Sequence, residues 1–139
     1  MAVPVTGKPE TTMPVPRNDF RALLAIAQTY FDAAYEMNAD KFTSLFDRSS
    51  SVTKVGEDGN VSVTQIEEWL AAVRNLKSPK ELGLERRDEV MSIDVVRELA
   101  LLKLKLQMPP RYLTDMLLCL KANGTWKIVQ KAMTTETLY

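Results

Sequence analysis

Asp94 and Asp115 each interrupt a run of otherwise apolar residues, in Ser92-Ile93-Asp94-Val95 and Thr114-Asp115-Met116-Leu117. A buried carboxylate without a partner is costly, so each must reach water, pair with Arg or Lys, or serve as a base. A carboxylate held in an apolar cavity with a raised pKa is the best general-base candidate such a chain can offer. Histidine is absent from all 139 residues. That removes the commonest base near neutral pH and the commonest ligand for zinc, copper or non-haem iron. It also excludes Ser-His and Cys-His nucleophiles. Chemistry is left to carboxylates, lysine and tyrosine, with no metal site or cofactor to expect.

Tyr30 falls on the apolar face of a helix, where a tyrosine is ordinarily core with its hydroxyl hydrogen-bonded. In a cavity it would instead be an acid or a hydrogen-bond donor. Lys54, on a short strand, is a surface charge unless it points inward. Inside an apolar cup it would select a carboxylate-bearing ligand. Trp69 is a packing residue or a stacking platform for a flat ligand, and Trp126 a packing residue. Asp32 and Glu36 lie one helical turn apart, a spacing typical of a solvated face. These residues make Tyr30, Lys54, Trp69, Asp94 and Met116 the candidate ligand-binding set, with no catalytic residue assigned.

The elements that must position them can be read from periodicity. Residues 1–19 hold four of the seven prolines and no apolar period, and read as an extended tail. Residues 20–139 form one domain, of ordinary length and composition for a chain with its own core. Asn18 or Asp19 can cap a long helix with Phe20, Leu23, Leu24, Ala27, Tyr30, Phe31 and Ala34 on one face. A short helix follows, bearing Phe42, Leu45 and Phe46. A strand pair then turns at Asp58-Gly59, and Thr64 with Glu67 predicts a capping box for a third helix. From Arg86 the period becomes two, over four strands. Leu102, Leu104 and Leu106 alternate with Lys103 and Lys105, giving one buried and one wet face. The strand at 112–121 is apolar on both faces and needs two coverings. Helices supply one; a second subunit's sheet, over Leu113, Leu117 and Cys119, is the expected other.

Helices followed by antiparallel strands predict an α+β fold. A strongly curved, mainly antiparallel sheet wraps the long first helix, and two further helices close a cone-shaped pocket. Lysine plus arginine and aspartate plus glutamate balance at 18 each, which argues against a nucleic-acid partner. No apolar run is long enough for a membrane span, and a single cysteine requires no oxidising compartment. The expectation is a cytoplasmic protein.

This order, with these residues, resembles the nuclear transport factor 2-like superfamily, which has a cystatin-like fold. Within it the chain is most similar to bacterial families labelled "putative lumazine-binding" and SnoaL-like. The likeness covers about residues 20–135. It rests on Tyr30 and Tyr35, Glu68-Trp69-Leu70, Ser78-Pro79-Lys80-Glu81, Ser92-Ile93-Asp94-Val95, Thr114-Asp115-Met116-Leu117 and Gly124-Thr125-Trp126-Lys127-Ile128-Val129-Gln130-Lys131. It implies an open-ended pocket between sheet and helices, and a homodimer through the outer sheet faces.

Among superfamily members, ketosteroid isomerases use a Tyr, a protonated Asp and an Asp base. Gap-free counting from Leu45-Phe46 places Tyr30 at the tyrosine and Lys54 at the base. Counting back from Gly124 places Met116 at the acid, with Asp115 pointing to the opposite face. One group of three is retained, which disfavours that activity. Dehydratase-like and SnoaL-like sites resemble each other in needing a histidine. The expected function is therefore an uncharacterised small-molecule-binding domain with an apolar pocket rimmed by Tyr30, Trp69 and Met116. The alternatives are a cofactor-free isomerase, dehydratase or hydrolase using Tyr30 with Asp94 or Asp115, and a protein-interaction module acting through the outer sheet. A carboxylate within hydrogen-bond reach of Tyr30 in the cavity would favour the enzyme over the binder.

Overall fold

The computed structural model describes residues 15–139, so most of the predicted tail lies outside the described residues. Helix α1 (Arg17–Glu36) begins earlier than its apolar period predicts. Pro16 stands at the cap position and Asn18 and Asp19 lie inside the first turn, so neither is the cap. Asp19 has another task. Its Oδ1 accepts from Trp126 Nε1 at 3.0 Å and from Lys121 Nζ at 2.8 Å, fastening the start of α1 to the last hairpin. These donors hold the Asp19 carboxyl below its usual pKa, the Lys121 bond foremost. The depressed group stabilises the fold above the ordinary carboxylate pKa of 3.8, and that contribution is lost as pH falls through the folded value. Asp19→Asn should flatten the acid limb of a stability–pH curve below about pH 4. An unchanged acid limb would show that other carboxylates set it.

Helix α1 ends where Met37 turns left-handed (φ 48°), and the Asn38 side chain accepts from Lys41 N to start α2 (Ala39–Leu45). Strand β1 (Phe46–Val55) pairs with β2 (Val61–Gln65) around a turn where Gly59 takes φ 82°. The predicted capping box is not formed. Thr64 is still in β2, Gln65 occupies the cap position of α3 (Ile66–Arg74), and no side chain caps that helix.

The four period-two runs are β3 (Arg87–Val96), β4 (Leu99–Met108), β5 (Arg111–Ala122) and β6 (Thr125–Thr137). The sheet order is β2-β1-β6-β5-β4-β3, antiparallel throughout except for the parallel β1–β6 pair. Register shifts occur in β1 between Phe46 and Ser51, in β3 between Val90 and Ser92, and in β6, where Val129 is an extra residue facing Leu118 and Cys119. Bulges add twist and bend. The sheet curves and stays open, and the α+β cone predicted from the sequence is the fold observed.

The β4 alternation sets the layers. Ala100, Leu102, Leu104 and Leu106 face inward against Leu23, Ala27 and Tyr30 of α1, and Lys103 and Lys105 face outward. Cross-strand register then fixes β5, because Leu117 lies opposite Leu102, Asp115 opposite Leu104 and Leu113 opposite Leu106. The assignment of Leu113, Leu117 and Cys119 to the outer face is therefore corrected. Leu117 and Cys119 are fully buried in the core, and Leu113 packs against it. Burial also pushes the Cys119 thiol up to about 12, leaving it an unreactive core side chain. The outer face of β5 carries Tyr112, Thr114, Met116, Leu118 and Leu120 instead.

Candidate functional site: a buried tyrosine–aspartate–lysine cluster

Tyr30 reaches the concave face of the sheet from the middle of α1, and its hydroxyl donates to Asp115 Oδ2 at 2.5 Å. Both residues are about 1% exposed. The same carboxylate oxygen stands 3.6 Å from Lys131 Nζ, a long ion pair beyond hydrogen-bond distance, and Lys131 is 4% exposed. The ammonium lies over two rings, 4.3 Å from the Trp69 centroid and 5.3 Å from that of Tyr30. Phe42 and Phe46 close the box. Phe42 packs edge-on to Trp69 at 4.9 Å and to Tyr30 at 5.3 Å. Six elements thus converge: α1, α2, the start of β1, α3, β5 and β6.

Lys131 stands here because of the bulge. Trp126 and Ile128 face inward, Val129 is the extra residue, and the phase beyond it shifts by one, so Lys131 and Met133 face inward too. Strict alternation would have turned Lys131 to the outside.

Two ionisable groups of the cluster depart from their ordinary behaviour. Burial, with the Asp115 charge beside it, pushes the Tyr30 hydroxyl well above its usual pKa, so it stays a neutral donor. Burial also pulls the Lys131 ammonium down, against the pull of Asp115 and with the help of Lys54. Asp115 Oδ1 is buried, and no group among the described residues donates to it. Leaving such an oxygen unpaired costs about 1–3 kcal/mol or more. The cluster therefore presents one unmet acceptor beside a cation that lies over two rings.

Of the sequence candidates, Tyr30 and Trp69 are brought together here. Lys54 leaves β1 on the same face as Val52, which is paired with Lys131, but its side chain is exposed at the strand's end. Asp94 and Met116 are not at the site. Asp94 lies between the inward Ile93 and Val95 and is exposed on the outer face. Met116 is also outside, 42% exposed and opposite Lys103. The residue that meets Tyr30 is its neighbour Asp115. A one-residue offset in a count exchanges the faces of a strand. Lys131 was not singled out from the sequence at all.

A groove of about 570 Å³ lies elsewhere, where the end of α1 meets α2, α3 and the 78–81 segment. Glu36, Arg74, Lys80 and Glu81 line it in balanced charge, and it shares no residue with the cluster. Among the described residues, no group of Cys, Asp and Glu is arranged to hold a metal ion. No described helix is long and apolar enough to cross a membrane.

Comparison with known proteins gives one family. Residues 18–134 match the family described as "Putative lumazine-binding", and the chain belongs to that family. No curated protein matches it. Among solved structures, it is similar to an NTF2-like protein of unknown function from Shewanella baltica (17% identity, 91% of this chain and 100% of the other, TM-score 0.80). It is also similar to an NTF2-like protein of unknown function from Methylobacillus flagellatus (18% identity, 88% and 96%, TM-score 0.76). A third is a ketosteroid isomerase-like protein from Erwinia carotovora atroseptica (10% identity, 88% and 100%, TM-score 0.68). At these identities the likeness is one of fold.

Proposed function

We propose that this family member binds a small organic molecule at the inner face of the cone, against Trp69 and over the Tyr30–Asp115–Lys131 cluster. The observation that carries the reading is the buried Asp115 Oδ1, without a donor among the described residues and set beside the ammonium of Lys131. Buried polar groups are ordinarily satisfied, and one that is not marks a place where a further group is accommodated. Half-buried Leu113 and Met133 flank Asp115 on the same inner face and supply apolar surface around it. The test is a thermal-shift screen against flat heterocycles, steroids, fatty acids and aromatic acids. A saturable shift is expected with the wild type and its loss with Trp69→Ala. Silence across the screen would contradict the reading.

The Tyr30–Asp115 contact also favours a second reading, proton transfer, with Asp115 Oδ1 as base and Lys131 steadying the negative charge that develops. It is separated from simple binding by turnover of whatever ligand the screen finds, and by retained binding without turnover in Asp115→Asn.

The proposal includes a homodimer. Leu99, Leu101, Met116 and Leu120 are exposed, and register places Leu101 opposite Leu118 and Leu99 opposite Leu120, in one apolar patch on the outer sheet. A second copy of that patch is the occupant proposed. The cytoplasmic setting stays part of the proposal and rests on the single cysteine.

A further inference from the structure

We infer that the bound molecule is a hydroxy acid on a flat apolar body, its carboxylate held by Lys54 and Lys131 and its hydroxyl donating to Asp115 Oδ1. The inference rests on the binding reading and narrows it.

The first half comes from charge. Around the cluster the inner face sets Asp115 against two cations, Lys131 and, one step along the neighbouring strand, Lys54, while the Tyr30 hydroxyl is neutral. The balance is one positive charge. Lys54 follows Val52 by two residues and so shares its face, and Val52 is paired with Lys131. Lys54 thus lies one step along the neighbouring strand from Lys131, on the same face. Like charges on adjacent strands of one face favour an anion between them. Among the described residues no carboxylate lies within 4.0 Å of Lys54 Nζ, so none of them supplies its counter-charge.

The second half comes from hydrogen bonding. Tyr30 and Lys131 both address Oδ2, leaving Oδ1 as a pure acceptor. An anion alone would be repelled by that oxygen, whereas a ligand hydroxyl satisfies it. A site built around a buried acceptor rejects analogues that lack the donor, because the acceptor is then desolvated and unpaired. The body of the ligand is apolar and flat, since Trp69, Leu113 and Met133 are the half-buried apolar side chains around the cluster.

The experiment is calorimetric titration of the full chain with salicylate, 3-hydroxybenzoate and 4-hydroxybenzoate, each beside benzoate and its own hydroxybenzamide. At least one hydroxy acid should bind about tenfold or more tightly than benzoate, which lacks the donor, and than its amide, which lacks the charge. Lys54 is exposed, so Lys54→Met should fold and should erase the preference for acid over amide. Asp115→Asn should erase the preference for hydroxybenzoate over benzoate. If that variant does not fold, the benzoate comparison on the wild type decides the same point. Equal binding of benzoate, an acid preference that survives Lys54→Met, or no binding by any of the three acids overturns the inference. In the last case a neutral flat compound that binds in a Trp69-dependent way leaves the binding reading standing, and no binder of any kind removes both.

Discussion

Asp115→Ala is expected to destabilise the domain by about 3–5 kcal/mol, because breaking a buried ion pair strands the surviving charge. For a chain of this length that is a fall in melting temperature of roughly 10–17 °C. The substitution leaves the Lys131 ammonium buried among rings without its carboxylate, and the Tyr30 hydroxyl without its acceptor. Stability should return when the other partners are made apolar as well, in Tyr30→Phe, Asp115→Leu and Lys131→Met together. Well-packed apolar replacements of buried ion pairs are often neutral or stabilising. A triple variant as stable as the wild type, yet blind to every ligand, is what a cluster kept for binding predicts. An Asp115→Ala variant within about 1 kcal/mol of the wild type would mean that the carboxylate is not a buried, paired charge.

The second large effect contrasts two neighbouring positions on β5. Cys119→Asp should cost at least about 4 kcal/mol, since it places a carboxylate in an apolar core between Ala100 and Ile128. Met116→Asp should change the stability of the protomer by less than about 0.5 kcal/mol, since Met116 is exposed and faces Lys103 across the strands. In sedimentation, however, Met116→Asp should convert a dimer into a monomer. A folded, soluble Cys119→Asp protein would contradict the assignment of faces. A Met116→Asp protein that remains dimeric would place the interface elsewhere.

These two positions also show what the sequence made legible. The three helices and six strands of the described residues follow from apolar spacing and turn residues, and β4 announces its own faces because lysines alternate with leucines. Strand β5 does not, because both of its faces are apolar, and its orientation is decided by register with β4 rather than by its own pattern. Counting from Gly124 therefore chose Met116 over Asp115. Tyr30 and Trp69 were legible as aromatic residues on amphipathic helices. Lys131 was hidden by Val129, because a bulge has no fixed sequence signature and reverses the phase of everything after it. The cap of α1 was missed for a related reason: tertiary partners, Trp126 and Lys121, claim Asp19 for a different task.

The central claim is that ligand binds at the cluster and not in the charged groove beside α2. It is tested most directly by thermal shift on four proteins in parallel: wild type, Trp69→Ala, Lys131→Met and Lys80→Ala, each measured against its own unliganded melting temperature. At one hundred times its dissociation constant a ligand adds about 2.7 kcal/mol, or roughly 9 °C for a chain of this size. The account predicts that shift in the wild type and in Lys80→Ala, and its loss in Trp69→Ala and Lys131→Met. A shift that survives both cluster substitutions, or that disappears with Lys80→Ala alone, would contradict it.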